Sequence, residues 1–220
     1  MQEVQTHERQ TRPPVQPGMP RPTANLARSR LLPIWHAGAG RLRDFAAHPD
    51  PLAETSNWVA LTIGSHLPFW PLYVWWAAGN QSFPSALLTV ALAPVFLAIP
   101  FLSRRSGLLG RIATPVVGLA NTVFTIWVLG MASGTALFLA PCAALAALLF
   151  RRTERWVMLA LTALPLLVWY ALLYHAPVPL HRYGPAAAQR LFSLNAISIS
   201  VLISLFGWFQ ASVYQRMEQR

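Results

Sequence analysis

Three polar side chains lie deep inside long apolar blocks of this sequence and carry groups that bind ligands or titrate: His66, Asn121 and Asn195. A histidine ring offers a donor, an acceptor and a titratable proton, and an asparagine amide offers both a donor and an acceptor. His66 and Asn121 are each the tenth residue of their block, which predicts that they lie at similar depth. This pattern is typical of a pocket that orients a small ligand.

Helical spacing adds neighbours to these residues, because an α-helix turns by about 100° per residue. Polar and aromatic residues at that spacing share one stripe with His66, with Asn121 or with Asn195. The predicted ligand-binding set is His66, Ser65, Phe69, Asn121, Thr125, Asn195 and Ser198. A purely structural interpretation stays open, in which these groups form interhelical hydrogen bonds worth roughly 0.6–2 kcal/mol each.

Residues for catalysis or metal binding are scarce. Cys142 is the single cysteine, which excludes an intramolecular disulfide and a Cys-based metal site, and its default role is packing. The apolar blocks contain no carboxylate, and no phosphate-binding loop, dinucleotide fingerprint, zinc-protease motif or nucleophile elbow occurs. We therefore expect no enzymatic activity, no cofactor and no metal.

The elements that must position these residues are membrane helices. With 55% hydrophobic and 11% charged residues, the composition is far from that of a soluble domain. Six blocks of about twenty residues lack Asp, Glu and Arg, which is the length that crosses a bilayer. They are Asn57–Ala77, Ser85–Leu102, Ile112–Gly130, Ala132–Phe150, Trp156–His175 and Leu191–Val213. The predicted fold is all-α, an integral membrane six-helix bundle over residues 57–213.

The seventeen basic residues are all arginine and give a net charge of +10. Fifteen of them fall in the termini and in the second and fourth connections, and only Arg182 and Arg190 fall on the other side. Basic residues are retained on the cytoplasmic side, so both termini are predicted to be cytoplasmic in a bacterial inner (plasma) membrane. The charge is thus a topology signal, and no nucleic-acid partner is expected.

The termini are predicted to differ from the bundle. Residues 1–56, with eight prolines and seven arginines, predict a disordered cytoplasmic leader. Within it, residues 31–47 are equally compatible with an amphipathic interfacial helix, and residues 214–220 form a cytoplasmic tail. Each of the first five spans contains at least one proline and the sixth none, which predicts five deformable helices and one straight exit helix.

Four short motifs carry a family resemblance. They are the run Gly64–Leu72 leading to Ala78-Gly79-Asn80, the corner Arg104-Arg105-Ser106-Gly107, the turn Leu129–Gly134, and the final helix from Leu191-Phe192-Ser193-Leu194-Asn195 into a Glu-containing tail. Together they resemble the six-helix membrane module that precedes the catalytic domain of bacterial class III adenylate cyclases. Similar modules occur in quorum-sensing histidine kinases that detect small hydrophobic signals.

The resemblance implies sensing without output chemistry. Where such modules often carry a Glu and a His one turn apart, this sequence has Val117 and Asn121, and no catalytic domain follows before Arg220. The expected function is a sensory or regulatory module that responds to a lipophilic ligand or membrane state. Expected partners are the lipid bilayer, a small lipophilic ligand, and a second copy or a separate signalling protein. The alternatives are a small-solute transporter or permease subunit, or a scaffold subunit of a membrane complex.

Overall fold

A computed structural model describes residues 40–218, with only the backbone described for residues 209, 210 and 212–218. Within this range all regular secondary structure is helical, without a strand. Most of the predicted leader, including residues 31–39 of the predicted interfacial helix, lies outside the described residues, as do residues 219–220 of the predicted tail.

Helical structure is already present before the predicted start of the bundle. Residues 40–46 form a short helix, α1, and α2 spans Pro51–His66, so α2 starts six residues before Asn57. Asp50 caps α2, because its Oδ1 accepts from the backbone N–H of Leu52 at 3.0 Å and Pro51 occupies the first turn. Residues 51–56 are therefore helical, although the sequence placed them in the leader.

The first predicted span is an interrupted helix. A 3₁₀ turn, Leu67–Phe69, follows α2, and α3 spans Trp70–Ala78. Pro68 and Pro71 lie at this junction, where each removes a backbone N–H from the helical ladder.

The second and third predicted spans are long helical segments. A 3₁₀ turn at Asn80–Ser82 leads into α4 (Phe83–Leu88), and α5 spans Ala93–Arg105. After a one-residue corner, α6 spans Gly107–Leu129 and keeps Pro115 inside a continuous helix.

The fourth predicted span is shortened by a corner built on two glycines. Gly130 and Gly134 adopt φ angles of +79° and +77°, a region that other residues rarely occupy. Two 3₁₀ turns, Met131–Ser133 and Thr135–Phe138, take up the start of the span, so that α7 covers only Leu139–Leu148.

The last two candidate spans are the least buried of the four, and α9 is the longest helix of the described residues. A 3₁₀ turn at Arg152–Glu154 precedes α8 (Arg155–Tyr174), and α9 spans Pro185–Glu218. With 34 residues, α9 is about 51 Å long and runs without interruption, as the absence of an internal proline predicts.

Four helical segments of the described residues are long and apolar enough to cross a membrane: Asn80–Arg105, Gly107–Leu129, Arg152–Tyr174 and Pro185–Trp208. The chain is thus an all-helical protein with four candidate spans, and the predicted count of six is not confirmed. The first predicted block is interrupted at its prolines, and its tryptophans and His66 lower its mean hydropathy. The fourth is reduced to the apolar segment Thr135–Leu148.

Packing brings α6 to the centre, where it contacts α2, α5, α7 and α8. Hydrogen bonds and ion pairs bring together the start of α2, the ends of α5 and α7, the start of α6 and the turn before α8. We term this group of helix ends, where the arginines of the connections lie, the arginine-rich end. This end holds Arg104, Arg105, Arg111, Arg151, Arg152 and Arg155.

Candidate functional site

A cavity of about 620 Å³ lies between α2, α6, α7 and α9. Its walls are mainly apolar, with a few hydroxyl, amide and imidazole groups among them. The lining residues are Thr62, Ile63, Ser65, His66, Leu67, Phe69, Trp70, Phe96, Gly118, Asn121, Thr122, Thr125, Thr135, Phe138, Pro141, Cys142, Leu145, Ile197, Ser198, Val201, Leu202, Leu205 and Phe206. Size and character match those of pockets that hold drug-sized ligands.

Six of the seven residues selected from the sequence line this one cavity. Ser65, His66 and Phe69 come from α2 and the following turn, Asn121 and Thr125 from α6, and Ser198 from α9. The helical stripes of these three elements therefore face a shared space.

Asn195 is the exception, because it is fully buried beside the corner rather than along the cavity. Its Nδ2 donates to the carbonyl oxygen of Ser133 at 2.7 Å, which ties α9 to the turn between α6 and α7. For Asn195 the structure supports the interhelical hydrogen-bonding interpretation.

Most hydroxyl groups around the cavity donate hydrogen bonds to backbone carbonyls of their own helices. Thr62, Thr122, Thr125 and Ser198 each donate to the backbone carbonyl four residues earlier at 2.7–2.9 Å, and Ser65 donates to the carbonyl of Thr62 at 3.1 Å. A hydroxyl that donates in this way still has lone pairs to accept with. These hydroxyls therefore offer acceptors rather than donors to the cavity.

The amide of Asn121 adds another unused acceptor. Its Oδ1 is buried and finds no hydrogen-bond partner among the described residues. An unpaired buried carbonyl oxygen costs free energy, and a ligand with a donor group would recover part of it. His66 is oriented by stacking on Tyr73, with ring centroids 5.6 Å apart.

The sequence did not reveal the wall that α7 contributes. Phe138, Pro141, Cys142 and Leu145 follow helical spacing along one face, but α7 is apolar all round, so no polar stripe marks that face. Cys142, assigned to packing, lines the cavity and lies 3.9 Å from the Thr122 hydroxyl.

The exit helix α9 is held on both sides of the cavity. Toward its start, Asn195 and Arg190 attach it to the bundle, the latter by donating from Nε to the carbonyl oxygen of Ala77 at 2.8 Å. Further along, Phe206 is buried against Val59, Leu145 and Leu149. The stretch between these attachments, from Ile197 to Leu205, lines the cavity.

A second polar assembly lies at the arginine-rich end and was not predicted. Arg111, only 4% exposed, donates twice to the carboxylate of Glu154 at 2.7 Å and also to the carbonyl oxygen of Leu149 at 3.1 Å. Asp50 lies 3.7 Å from Arg111 and 3.2 Å from Arg151. We term Asp50, Arg111, Arg151 and Glu154 the ion-pair cluster.

Hydrogen bonds surround the ion-pair cluster and link α1, α2, α5 and α6. Asn57 donates to the carbonyl oxygen of Ala46 at 3.0 Å and accepts from Ser103 at 2.6 Å. Ser56 and Thr114 hydroxyls lie 2.6 Å apart. These contacts fix residues from α1 onward to the bundle.

No group of three or more His, Cys, Asp or Glu side chains suited to a metal ion occurs among the residues for which side chains are described. The polar groups that line the cavity are hydroxyls, the amide of Asn121, the imidazole of His66, the thiol of Cys142 and the indole N–H of Trp70.

Comparison with known proteins gives one match. The sequence model of the MASE7 family, a family of membrane-associated sensor domains, matches residues 59–219. No curated protein and no solved structure matches the chain significantly. The matched stretch runs from α2 to the end of α9 and includes every wall of the cavity.

Proposed function

The chain belongs to the MASE7 family of membrane-associated sensor domains, and on that premise we propose that it senses a lipophilic ligand bound in the cavity between α2, α6, α7 and α9. The observation that carries the proposal is the shared cavity, in which acceptor groups of three helices stand free inside an apolar wall. A sensor-domain family is not a catalytic one, which is consistent with the expectation of no enzymatic activity, and the match does not favour the transporter or scaffold alternatives.

The free groups of the cavity favour one chemical class of ligand. Since the hydroxyls already donate to backbone carbonyls and Asn121 Oδ1 has no partner, the complementary ligand is an apolar molecule that carries a hydroxyl or amide N–H donor. A bare hydrocarbon would fill the cavity but leave these acceptors unpaired.

Entry from the bilayer is supported by exposed residues at the cavity mouth. Phe69, Ile197 and Val201 line the cavity and are 55%, 64% and 55% exposed on the protein surface. They come from the turn after α2 and from α9, so we propose that a membrane-partitioned ligand enters between these two segments.

The output follows from the position of α9. A ligand in the cavity contacts α9 between its attachment at Asn195 and its attachment at Phe206. We propose that occupancy shifts the Phe206 contact and so the direction of α9 beyond it, which a second copy or a separate signalling protein detects.

The proposed topology has six membrane segments, with the arginine-rich end and both termini in the cytoplasm of a bacterial cell. The supporting observations are the arginine distribution and the two interrupted helices that accompany the four candidate spans. In this arrangement α2 with α3 forms the first segment and Thr135–Leu148 the fourth.

The cavity contains its own reporter, because Cys142 is the single cysteine of the chain and lines the cavity. We would measure the rate at which a small membrane-permeant thiol reagent labels the reconstituted protein, with 1-dodecanol or dodecane as the added probe. Both probes should slow labelling, and 1-dodecanol should slow it more, because only it donates a hydrogen bond.

Two serines of α9 provide a matched control. Ser198 and Ser200 each donate to the carbonyl four residues earlier at 2.9 Å, but only Ser198 lines the cavity. Ser198→Ala and Asn121→Ala should reduce the advantage of 1-dodecanol, and Ser200→Ala should leave it unchanged. Equal protection by both probes in every variant, or no protection by either, would rule out the proposed recognition.

A further inference from the structure

The arginine-rich end contains arginines of two kinds. Arg111 and Arg151 are neutralised by Asp50 and Glu154. Among the described residues, Arg104, Arg105, Arg152 and Arg155 lie within 4.0 Å of no carboxylate. A guanidinium stays charged at every physiological pH, so these four charges are available to anions from outside the described residues.

Arg104 is the one of these four that two different helices hold in place. Its guanidinium lies 5.3 Å from the ring centroid of Phe45 on α1 and 5.6 Å from that of Phe101 on α5. The two rings pack edge to face, with centroids 4.9 Å apart. Cation–π contacts of this kind orient the guanidinium and leave its N–H groups free to donate.

None of those donors is used by the described residues, since no hydrogen bond joins Arg104 to another side chain or carbonyl there. Asp44 precedes Phe45 in α1, but it forms no ion pair with Arg104. A rigid, planar donor fork without an acceptor is suited to a phosphate, which it binds through two parallel hydrogen bonds.

The surface next to Arg104 is apolar. Phe101 is 57% exposed, and Leu97, one turn earlier on the same face of α5, is 40% exposed. Leu42 on α1 is 47% exposed. A charged headgroup site that continues into an exposed apolar face at a helix end matches a phospholipid, whose phosphate and acyl chain are joined in the same way.

We propose that Arg104, held against the rings of Phe45 and Phe101, is a binding site for an anionic phospholipid headgroup, with an acyl chain along Phe101 and Leu97. This site is separate from the cavity and takes a different ligand. It also gives α1 a function, because Phe45 supplies one of the two rings.

A lipid titration of the purified chain tests the proposal. The chain is titrated with phosphatidylglycerol or with phosphatidylcholine, and native mass spectrometry measures the individual lipid complexes. Phosphatidylglycerol should bind more tightly to the wild type. Arg104→Gln should weaken its binding about fivefold, the value of about one charge at a membrane surface. Phosphatidylcholine binding should stay unchanged.

The adjacent arginine is the matched control. Arg105→Gln removes the same charge from the same turn of α5, but Arg105 is stacked on no ring among the described residues. It should weaken phosphatidylglycerol binding less than twofold, whereas Phe101→Leu, which keeps the apolar surface and removes the ring, should weaken it clearly. Circular dichroism in phosphatidylcholine verifies that each variant is folded.

Three results would overturn the site. Equal losses in Arg104→Gln and Arg105→Gln would show a diffuse charge effect, and equal wild-type affinities for the two lipids would show no headgroup recognition. Displacement of phosphatidylglycerol by a poly-glutamate peptide, with tighter binding of the peptide, would assign Arg104 to an acidic protein partner instead.

Discussion

The cavity and the ion-pair cluster lie on the same helices and use their polar groups in opposite ways. In the ion-pair cluster, Glu154 accepts two hydrogen bonds from Arg111 and one from the backbone N–H of Arg151 at 2.9 Å. In the cavity, most hydroxyls donate to backbone carbonyls of their own helices, and Asn121 Oδ1 has no partner among the described residues. The first arrangement holds elements together and the second leaves groups free for a ligand.

This difference matters because an unpaired polar group costs free energy when it is buried, whereas a fully paired buried network stabilises one arrangement of the helices. The ion-pair cluster is nearly saturated, with Arg111 Nε as the one buried donor there that lacks a partner among the described residues. We therefore expect substitutions in the ion-pair cluster to change the free energy of unfolding, and substitutions in the cavity to change ligand binding with little effect on stability.

The largest expected effect is that of Glu154→Gln. Removal of this carboxylate leaves the 4% exposed Arg111 with only Asp50, at 3.7 Å, as a counter-ion. Breaking a buried pair in this way costs about 3–5 kcal/mol. Unfolding in mixed micelles, followed by circular dichroism, should show a loss of this size.

The matched change on the other side of the pair is Arg111→Met. It should cost less than Glu154→Gln, because the carboxylates it leaves are 19% and 22% exposed and can still be hydrated. Arg152→Gln, an exposed neighbour, should change stability by less than about 0.5 kcal/mol. If Arg111→Met proved the costlier change, the pair would stabilise through packing of the Arg111 side chain rather than through compensation of charge.

Two glycines of α6, Gly110 and Gly118, differ in how closely other helices approach them. A Cβ at Gly110 would overlap the Ser103 hydroxyl and lie 3.0 Å from the Ser103 Cα, so α5 and α6 would have to separate. A Cβ at Gly118 would lie 3.4 Å from Cys142 Sγ, an ordinary contact on the cavity wall.

Gly110→Ala should therefore destabilise the protein by about 1–3 kcal/mol, whereas Gly118→Ala should be neutral or stabilising by up to about 1 kcal/mol. Both substitutions change helix propensity equally, so the difference between their unfolding midpoints isolates the close approach. Equal midpoints would mean that the two helices separate at no cost.

The cavity could be predicted to the extent that its residues share a helix face. Ser65, His66 and Phe69 are joined by local spacing, and so are Asn121 and Thr125, because rotation per residue is a property of the helix alone. Asn195 lies only about 60° around α9 from Ser198, and a pattern in sequence does not resolve which neighbour each of them faces. The sequence therefore could not separate Ser198, which lines the cavity, from Asn195, which bonds to Ser133.

The ion-pair cluster could not be predicted in the same way. Arg111 and Glu154 are 43 positions apart, and their pairing depends on how α6 meets the turn before α8. The start of α2 did carry a local signal, because Asp50 followed by Pro51 is typical of a helix beginning. The uncharged hydrophobic block begins only at Asn57, so its length does not mark this helix start.

Substitutions of Asn121 and Asn195 should differ in their effect on the free energy of unfolding, by a smaller amount than the changes above. Asn195→Ala loses the bond to Ser133 and should cost about 0.6–2 kcal/mol, whereas Asn121→Ala removes an unpaired oxygen and should leave stability nearly unchanged. The order should reverse when the protection that 1-dodecanol gives Cys142 against labelling is measured. Asn121→Ala should then reduce the protection more than Asn195→Ala. Equal stabilities would make Asn121 a packing residue like Asn195.

The smallest expected effect lies inside the ion-pair cluster, at Arg151. This side chain is 57% exposed, so its contact with Asp50 at 3.2 Å is screened by water and salt, and Arg151→Gln should cost less than about 1 kcal/mol. Asp50→Ala should cost more, because Asp50 also caps α2 through the N–H of Leu52. Raising the salt concentration to about 1 M should abolish the effect of Arg151→Gln and preserve most of that of Glu154→Gln, since screening acts on exposed pairs. A Glu154→Gln effect that vanished equally in salt would place the Arg111 pair in water and remove the contrast between the ion-pair cluster and an ordinary charged surface.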